Sequence, residues 1–367
     1  MQTAAPMDTK RLARGLERGL RVGAAIGLAI LALAAVARGE DEPVLSRGLS
    51  YMTAFGPKNY SVVSLLYGSI VLSLAVVAII GIMVLVGSLL RRMRPRSGQV
   101  GDVPIDRPGR GLSLIYVGTT LTFFVLLGLT IWDFAVLADV AGPPRKPAFT
   151  ITVVGHQWWW EYRYDDGDVS RNFTTANEAH IPVGQPVRIE LLTADVIHSF
   201  WVPALSGKTD TIPGQQNRTW IQADKPGFYR GSCTEYCGQQ HAHMGLMVVA
   251  DPPDQFRAWW DRQLQPPAFG DAQPQASAAE RGEQVFMRRC AVCHTVRGTQ
   301  AQGRVGPDLS HLMERHGIAA ESVPNNIGYL SAWISDPQRI KPGNLMPTID
   351  VTPAELTSLR SFLQALR

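Results

Sequence analysis

Cysteine is scarce in this chain, four among 367 residues. All four fall in two short motifs, at 233–237 and 290–293, so no thiol is left for a structural disulfide. Charge is missing in places too. Residues 61–90 carry no Asp, Glu, Lys or Arg across thirty positions, and residues 112–132 carry none across twenty-one. This excludes a wholly soluble protein, because a helix needs only ~20 apolar residues to cross the hydrocarbon core. Neither run contains a histidine, which excludes an imidazole-held metal within the membrane. No strong net charge is present either: 35 basic against 31 acidic residues leaves +4. Much of that excess is arginine beside the apolar runs, so it speaks for membrane topology and against a nucleic-acid partner.

Between the two runs lies Arg91-Arg-Met-Arg-Pro-Arg96, followed by Arg107 and Arg110. Arginines concentrated on one short loop put that loop in the cytoplasm. Spans at about 61–90 and 112–138 then form a hairpin within 38–140, and the chain after it lies on the outer face. Upstream, the apolar run 22–36 follows Lys10, Arg11, Arg14, Arg18 and Arg21 and ends at Ala35-Val-Ala37. A basic start, a short apolar core and an Ala-x-Ala end describe a secretory signal peptide over 1–37; the alternative is an N-terminal anchor that is retained.

What the chain does hold is metal-binding chemistry. Cys233-Thr-Glu-Tyr-Cys237-Gly-Gln-Gln-His241-Ala-His-Met244 packs two thiols, an imidazole and a thioether into one loop, with His198 upstream. Such a soft donor set selects copper, with tetrahedral zinc as the rival. Further on, Cys290-Ala-Val-Cys293-His294 has the spacing for covalent attachment of a c-type haem, with His294 on the iron; redox or zinc chemistry is the alternative. A methionine is a common opposite ligand. Met346 is the candidate, and Met287 and Met313 read as core.

Around these motifs, 149–154 alternates polar and apolar residues, and strands are expected near 187–192, 219–222, 227–232 and 246–250. Lys225-Pro-Gly227 marks a turn. Residues 147–265 therefore read as an all-β domain, closed by a short amphipathic helix bearing Phe256, Trp259 and Trp260. Residues 266–279, rich in Pro, Ala and Gln, read as a linker. Residues 280–367 read as all-α. There Thr352-Pro-Ala-Glu355 forms a capping box ahead of Leu356, Leu359, Leu363 and Leu366 at helical spacing.

The cysteine loop resembles the dinuclear copper A loop of subunit II of the haem-copper oxidases. The resemblance extends to His198-Ser-Phe-Trp-Val-Pro203, to Lys208-Thr-Asp-Thr-Ile-Pro-Gly214, and to Gly155-His-Gln-Trp-Trp-Trp160, which looks like the family's aromatic strand. Lys341-Pro-Gly-Asn-Leu-Met-Pro347 and Gly306-Pro-Asp-Leu309 resemble segments of small class I cytochromes c. Together these imply a multidomain chain: a two-helix transmembrane hairpin, a cupredoxin Greek-key barrel, then an all-α cytochrome c domain, as in subunit II of a caa-type cytochrome c oxidase. The resemblance implies that Cys233 and Cys237 bridge two coppers, that His198, His241, Met244 and the carbonyl of Glu235 complete the set, and that the Glu235 side chain binds magnesium at the junction with subunit I. It implies electron input through Trp158, an adjacent subunit III, a cytochrome c or upstream complex as donor, and a bacterial inner membrane with the copper and haem domains in the periplasm.

Several residues lie outside this pattern. Asp195 reads as a residue that orients the His198 loop, and Asp165, Asp166, Asp168 and Glu178 as candidates for an acidic docking surface. His156, His180, His243, His311 and His316 have no motif role. Gly109-Arg-Gly-Leu-Ser-Leu-Ile-Tyr116 lacks the carboxylate that many relatives carry at the start of the second span, with Asp106 the nearest acidic residue before it, so no part in proton uptake is assigned to it. The rival functions are electron input to a copper A nitric oxide reductase and a membrane-anchored electron carrier.

Overall fold

A computed structural model of the chain describes residues 49–93, 111–267 and 276–367. The expected signal peptide, the arginines at 94, 96, 107 and 110, and most of the 266–279 linker lie outside the described residues.

The two uncharged runs are helices, α1 (Pro57–Met93) and α2 (Gly111–Ala141). At ~1.5 Å of rise per residue each is long enough to cross a bilayer. Their large apolar side chains are mostly exposed, as lipid-facing side chains must be. One end of each is tied to the β domain. Asn59 donates to the Pro203 carbonyl at 2.7 Å, and the Trp220 indole donates to the Val140 carbonyl at 3.1 Å.

The β domain runs β1 (Thr150–His156), β2 (Trp159–Asp165), β3 (Phe173–Ala176), β4 (Glu178–Pro182), β5 (Val187–Thr193), β6 (His198–Trp201), β7 (Thr209–Thr211), β8 (Asn217–Ile221), β9 (Gly227–Cys233) and β10 (Gly245–Asp251). They form two five-stranded sheets, ordered β3-β2-β1-β5-β8 and β4-β10-β9-β6-β7. β1 pairs parallel with β5 and β4 with β10, while the remaining pairs are antiparallel. This is a cupredoxin-type sandwich. Alternation does the sorting: Ile151, Val153, Tyr162, Tyr164, Ile189 and Leu191 of one sheet and Ile181, Tyr229, Leu246 and Val248 of the other are all buried. Helix α3 (Pro253–Leu264) closes one end, with Phe256 stacked on Phe149 at 5.3 Å and Trp259 edge-on to Tyr164 at 5.3 Å.

Residues 155–160, expected as one strand, are not one. They form instead the reversal between β1 and β2, with Gln157 and Trp158 at its tip. Trp160 is fully buried, Trp159 stacks on His156 at 4.3 Å, and Trp158 is turned toward the cysteine loop.

The C-terminal domain is helical: α4 (Ala276–Arg289), α5 (Ile327–Ser335), α6 (Pro337–Ile340) and α7 (Pro353–Gln364), with a small hairpin of β11 (Gly317–Ile318) and β12 (Val323–Pro324). Helices α4 and α7 touch backbone to backbone, since a Cβ on Gly282 would sit 2.0 Å from the Ser358 carbonyl oxygen. The capping box is present on α7, with Thr352 Oγ1 accepting from Glu355 N and the Glu355 carboxylate accepting from Thr352 N. Leu359, Leu363 and Leu366 are buried, and Leu356 packs at the core's edge.

Candidate metal centres

The first centre is built on strand ends. Cys233 closes β9, Met244 stands just before β10, and His198 opens β6 of the same sheet. The loop between them is held by its own main chain. Cys233 N donates to Met244 O at 2.9 Å, Thr234 N to Ser199 O at 3.1 Å and His241 N to Gly238 O at 3.1 Å. Gly238, at φ +112, takes a backbone conformation that side chains disfavour.

The donors converge. The two Sγ atoms lie 3.8 Å apart. His198 Nδ1 is 3.9 Å from Cys233 Sγ, and His241 Nδ1 is 3.5 Å from Cys237 Sγ. Met244 Sδ lies 3.9 Å from Cys237 Sγ, and the Glu235 carbonyl oxygen lies 3.3 Å from Cys233 Sγ. His198, Cys233, Cys237 and Met244 are buried. Among the described residues, His198, Cys233 and Cys237 form the one cluster of His, Cys, Asp or Glu able to hold a metal. The hydrogen bond from Cys237 holds the Cys233 thiol down at about 4, and the same contact with burial pushes Cys237 well up. Two buried sulfurs this close cannot both ionise unless cations sit between them, so the donor set fits a copper pair.

The surroundings fix the ligand geometry. Asp195 Oδ1 is 2.7 Å from His198 Nε2, which leaves Nδ1 toward the sulfurs. Asp195 Oδ2 also accepts from Gln157 N at 2.7 Å. A Cβ on Gly155 would meet the His198 ring at 2.7 Å, so only glycine leaves the imidazole its place. The Trp158 indole and the Gln157 amide both donate to the Cys237 carbonyl, at 2.9 and 2.8 Å. The Glu235 carboxylate points outward beside Lys208, at 3.6 Å.

The second centre is a cavity of about 250 Å3 in the helical domain, lined by Cys290, Cys293, His294, Met346, Trp333 and Leu359, and by Trp158 and Trp159 of the β domain. His294 Nδ1 donates to the Pro307 carbonyl at 2.8 Å, which leaves Nε2 as the free ring atom. Burial lowers the His294 pKa and keeps the ring neutral, as a metal ligand must be. A Cβ on Gly306 would fall 2.6 Å from that ring. Met346 lines the cavity, whereas Met287 and Met313 pack against the core. Paired cysteines, a neutral oriented histidine and a methionine around an apolar cavity fit a haem.

A polar contact that the sequence did not announce joins the two domains. Glu178 was a candidate for an acidic surface, but it is 3% exposed. Its carboxylate accepts from His316 N and Nδ1 of the helical domain, at 2.8 and 2.9 Å, and lies 3.2 Å from His180 Nε2. His180 Nδ1 is 2.6 Å from Asp251, and its ring stacks on Trp259 at 4.2 Å. Burial pushes Glu178 up, but His180 and His316 outweigh it and hold the carboxyl at about 2. Both histidines are shifted up: His180 by Asp251 and Glu178 against its burial, His316 by Glu178.

A cupredoxin sandwich with a converged thiolate–imidazole centre, joined to apolar helices and a Cys-x-x-Cys-His domain, defines a membrane-anchored redox-metal protein. A family model for the periplasmic domain of cytochrome c oxidase subunit II matches residues 167–251, and one for cytochrome c matches residues 279–367. Cytochrome c oxidase subunit 2 of Alkalihalophilus pseudofirmus is 34% identical over 328 residues, covering 87% of this chain and 92% of that protein. The protein of the same name from Bacillus sp. strain PS3 is 31% identical, covering 75% and 80%. The crystal structure of the periplasmic domain of subunit II of cytochrome oxidase of Bradyrhizobium japonicum is 33% identical and covers 32% of this chain and 95% of that one, with a TM-score of 0.31. The chain belongs to the cytochrome c oxidase subunit II family, in the form with a cytochrome c domain fused at the C-terminal side. Membership implies copper A and haem c.

Proposed function

We propose that this chain is the electron-input subunit of a terminal oxidase in a bacterial inner membrane, with its β and helical domains in the periplasm. It receives electrons from a cytochrome c or an upstream respiratory complex. It delivers them to a haem-copper subunit I that reduces oxygen to water, with subunit III alongside. When bound, haem c and copper A supply two one-electron carriers in series. On this reading Cys290 and Cys293 would bind the haem covalently, and His294 and Met346 would ligate its iron. Cys233, Cys237, His198, His241, Met244 and the Glu235 carbonyl would hold the copper pair, and the outward Glu235 carboxylate would bind magnesium against subunit I.

The protein's own work is positioning. Strand ends hold the copper donors, Asp195 aims His198, and the Pro307 carbonyl aims His294. Burial keeps water from His198, Cys233, Cys237 and Met244, so little around them needs to rearrange when charge changes. One observation carries the reading: Trp158 lines the haem cavity and also donates to the carbonyl of Cys237. An electron crossing from one centre to the other meets this indole.

The test is metal and haem content of the full chain with electron paramagnetic resonance. A mixed-valence copper signal with one covalent haem, the copper signal vanishing in Cys233→Ser while the haem spectrum stays, is the expected result. Zinc or a single copper in the loop would overturn it.

A further inference from the structure

Lys341 is the least expected residue at the junction of the two domains. It follows α6 and opens the loop that leads to Met346, and it is 2% exposed. No carboxylate pairs with it among the described residues. Instead its Nζ donates to two carbonyls, Trp158 O at 2.7 Å across the domain boundary and Ala319 O at 3.1 Å within its own domain. A buried amine without a counter-charge is expensive, and here burial lowers its pKa to about 7. A neutral amine has two N–H groups, which the two carbonyls match.

The residues after it grip the same neighbours. Gln240 of the cysteine loop donates to Pro342 O at 2.6 Å. A Cβ on Gly343, at φ +81, would press to 2.4 Å from Gln239 Oε1. Asn344 Oδ1 then accepts from Met346 N at 2.8 Å, and Gln338 donates to Met346 O at 2.8 Å. The path from cysteine loop to cavity is therefore continuous: Cys237 carbonyl, Trp158 indole, Trp158 carbonyl, Lys341, then the short loop to Met346.

We propose that Lys341-Pro-Gly343 is a clasp that holds the haem-side loop on the copper-side loop, with Lys341 the positioning residue for internal electron transfer through Trp158. This rests on the electron-input reading. The step moves one electron, lost by the haem iron and gained by the copper pair, and no bond forms or breaks. With the clasp closed, the Trp158 face is covered by the chain's own domain, so a soluble donor reaches the copper pair through the haem.

The test uses the full chain with haem and copper loaded. A photoexcited flavin injects one electron into the haem, and haem oxidation and copper reduction are followed optically in wild type, Lys341→Met and Gly343→Ala. Both variants slow the internal step by about tenfold or more, the factor that about 1.4 kcal/mol of lost docking makes in an equilibrium. Spectra and midpoint potentials of both centres stay at wild-type values. Hydrogen exchange on the same chains, loaded or not, rises around 157–159 and 343–346. Wild-type rates together with wild-type exchange in both variants would overturn the clasp, as would slowing that comes with a shifted potential. If wild type itself transfers no electron, the electron-input reading fails, and the exchange result still decides whether the clasp exists.

Discussion

The copper-side and haem-side regions solve different problems with different structures. In the β domain, donors from two segments of the chain meet, each within 4 Å of a cysteine sulfur, seated at strand ends of one sheet. In the helical domain the protein offers a lined cavity, with its ligating groups spread from Cys290 to Met346 around an apolar wall. The physical reason lies in what each must hold. Small ions bring no shape of their own, so the protein must supply every distance. A haem brings a rigid plane, so the protein supplies volume and a lining. Rigidity in the first region therefore comes from hydrogen-bonded strands, and in the second from packing around the guest.

The largest expected effect lies where the regions join. Glu178 is depressed to about 2, so its contribution is complete above the unfolded carboxylate value and is lost as pH falls through about 2. The difference from an ordinary glutamate corresponds to roughly 3 kcal/mol. His180 and His316 are raised, so their contributions are complete below the unfolded histidine value and fade as pH rises through their folded values. Glu321, which burial and the Glu178 charge push up to about 7, runs the other way and gains on acidification. Docking of the domains should thus weaken at both pH extremes. Glu178→Gln should remove the acid limb, as read by thermal unfolding of the full chain between pH 5 and about 2.

Next come the two glycines under the ligand rings, which compare the regions directly. Gly155→Ala forces a Cβ to 2.7 Å from His198, and we expect about 2 kcal/mol of destabilisation with loss of copper loading. Gly306→Ala does the same to His294, but covalent attachment at Cys290 and Cys293 should persist while the axial-ligand spectrum changes. Equal loss of both cofactors would contradict the distinction between a preformed donor cage and a lined cavity. The smallest effect is at the capping box. Thr352→Ala should lower stability by about 1 kcal/mol without altering either spectrum, since α7 is anchored by Leu359 and Leu363 as well as by its cap.

Much of the site was legible because its residues are close in sequence and chemically rare. Cys233 to Met244 is a loop of twelve residues, and Cys290 to His294 is five. The strands expected at 187–192, 227–232 and 246–250 lie within a residue or two of β5, β9 and β10, since period-two burial is a local property. Glu178 was misjudged because its partner His316 is 138 residues away. An isolated glutamate on a strand looks solvated until another domain covers it. Lys341 escaped notice for the same reason, its partner Trp158 being 183 residues distant. The Gly155-His-Gln-Trp-Trp-Trp160 run resembles the family's aromatic strand, yet the chain must reverse there for β1 to pair with β2.

By itself, the sequence determined which segments are long and apolar enough to cross a membrane, which atoms can bind metal and where α7 begins. These follow from apolar length, from the softness of sulfur and imidazole, and from a cap that acts within one turn. Tertiary structure alone decided that Trp158 touches both the cysteine loop and the cavity, which glutamate is buried, and which lysine joins the two domains. Those outcomes depend on contacts between residues far apart in the chain. Their energies come from burial and shape, which exist only once both surfaces have met.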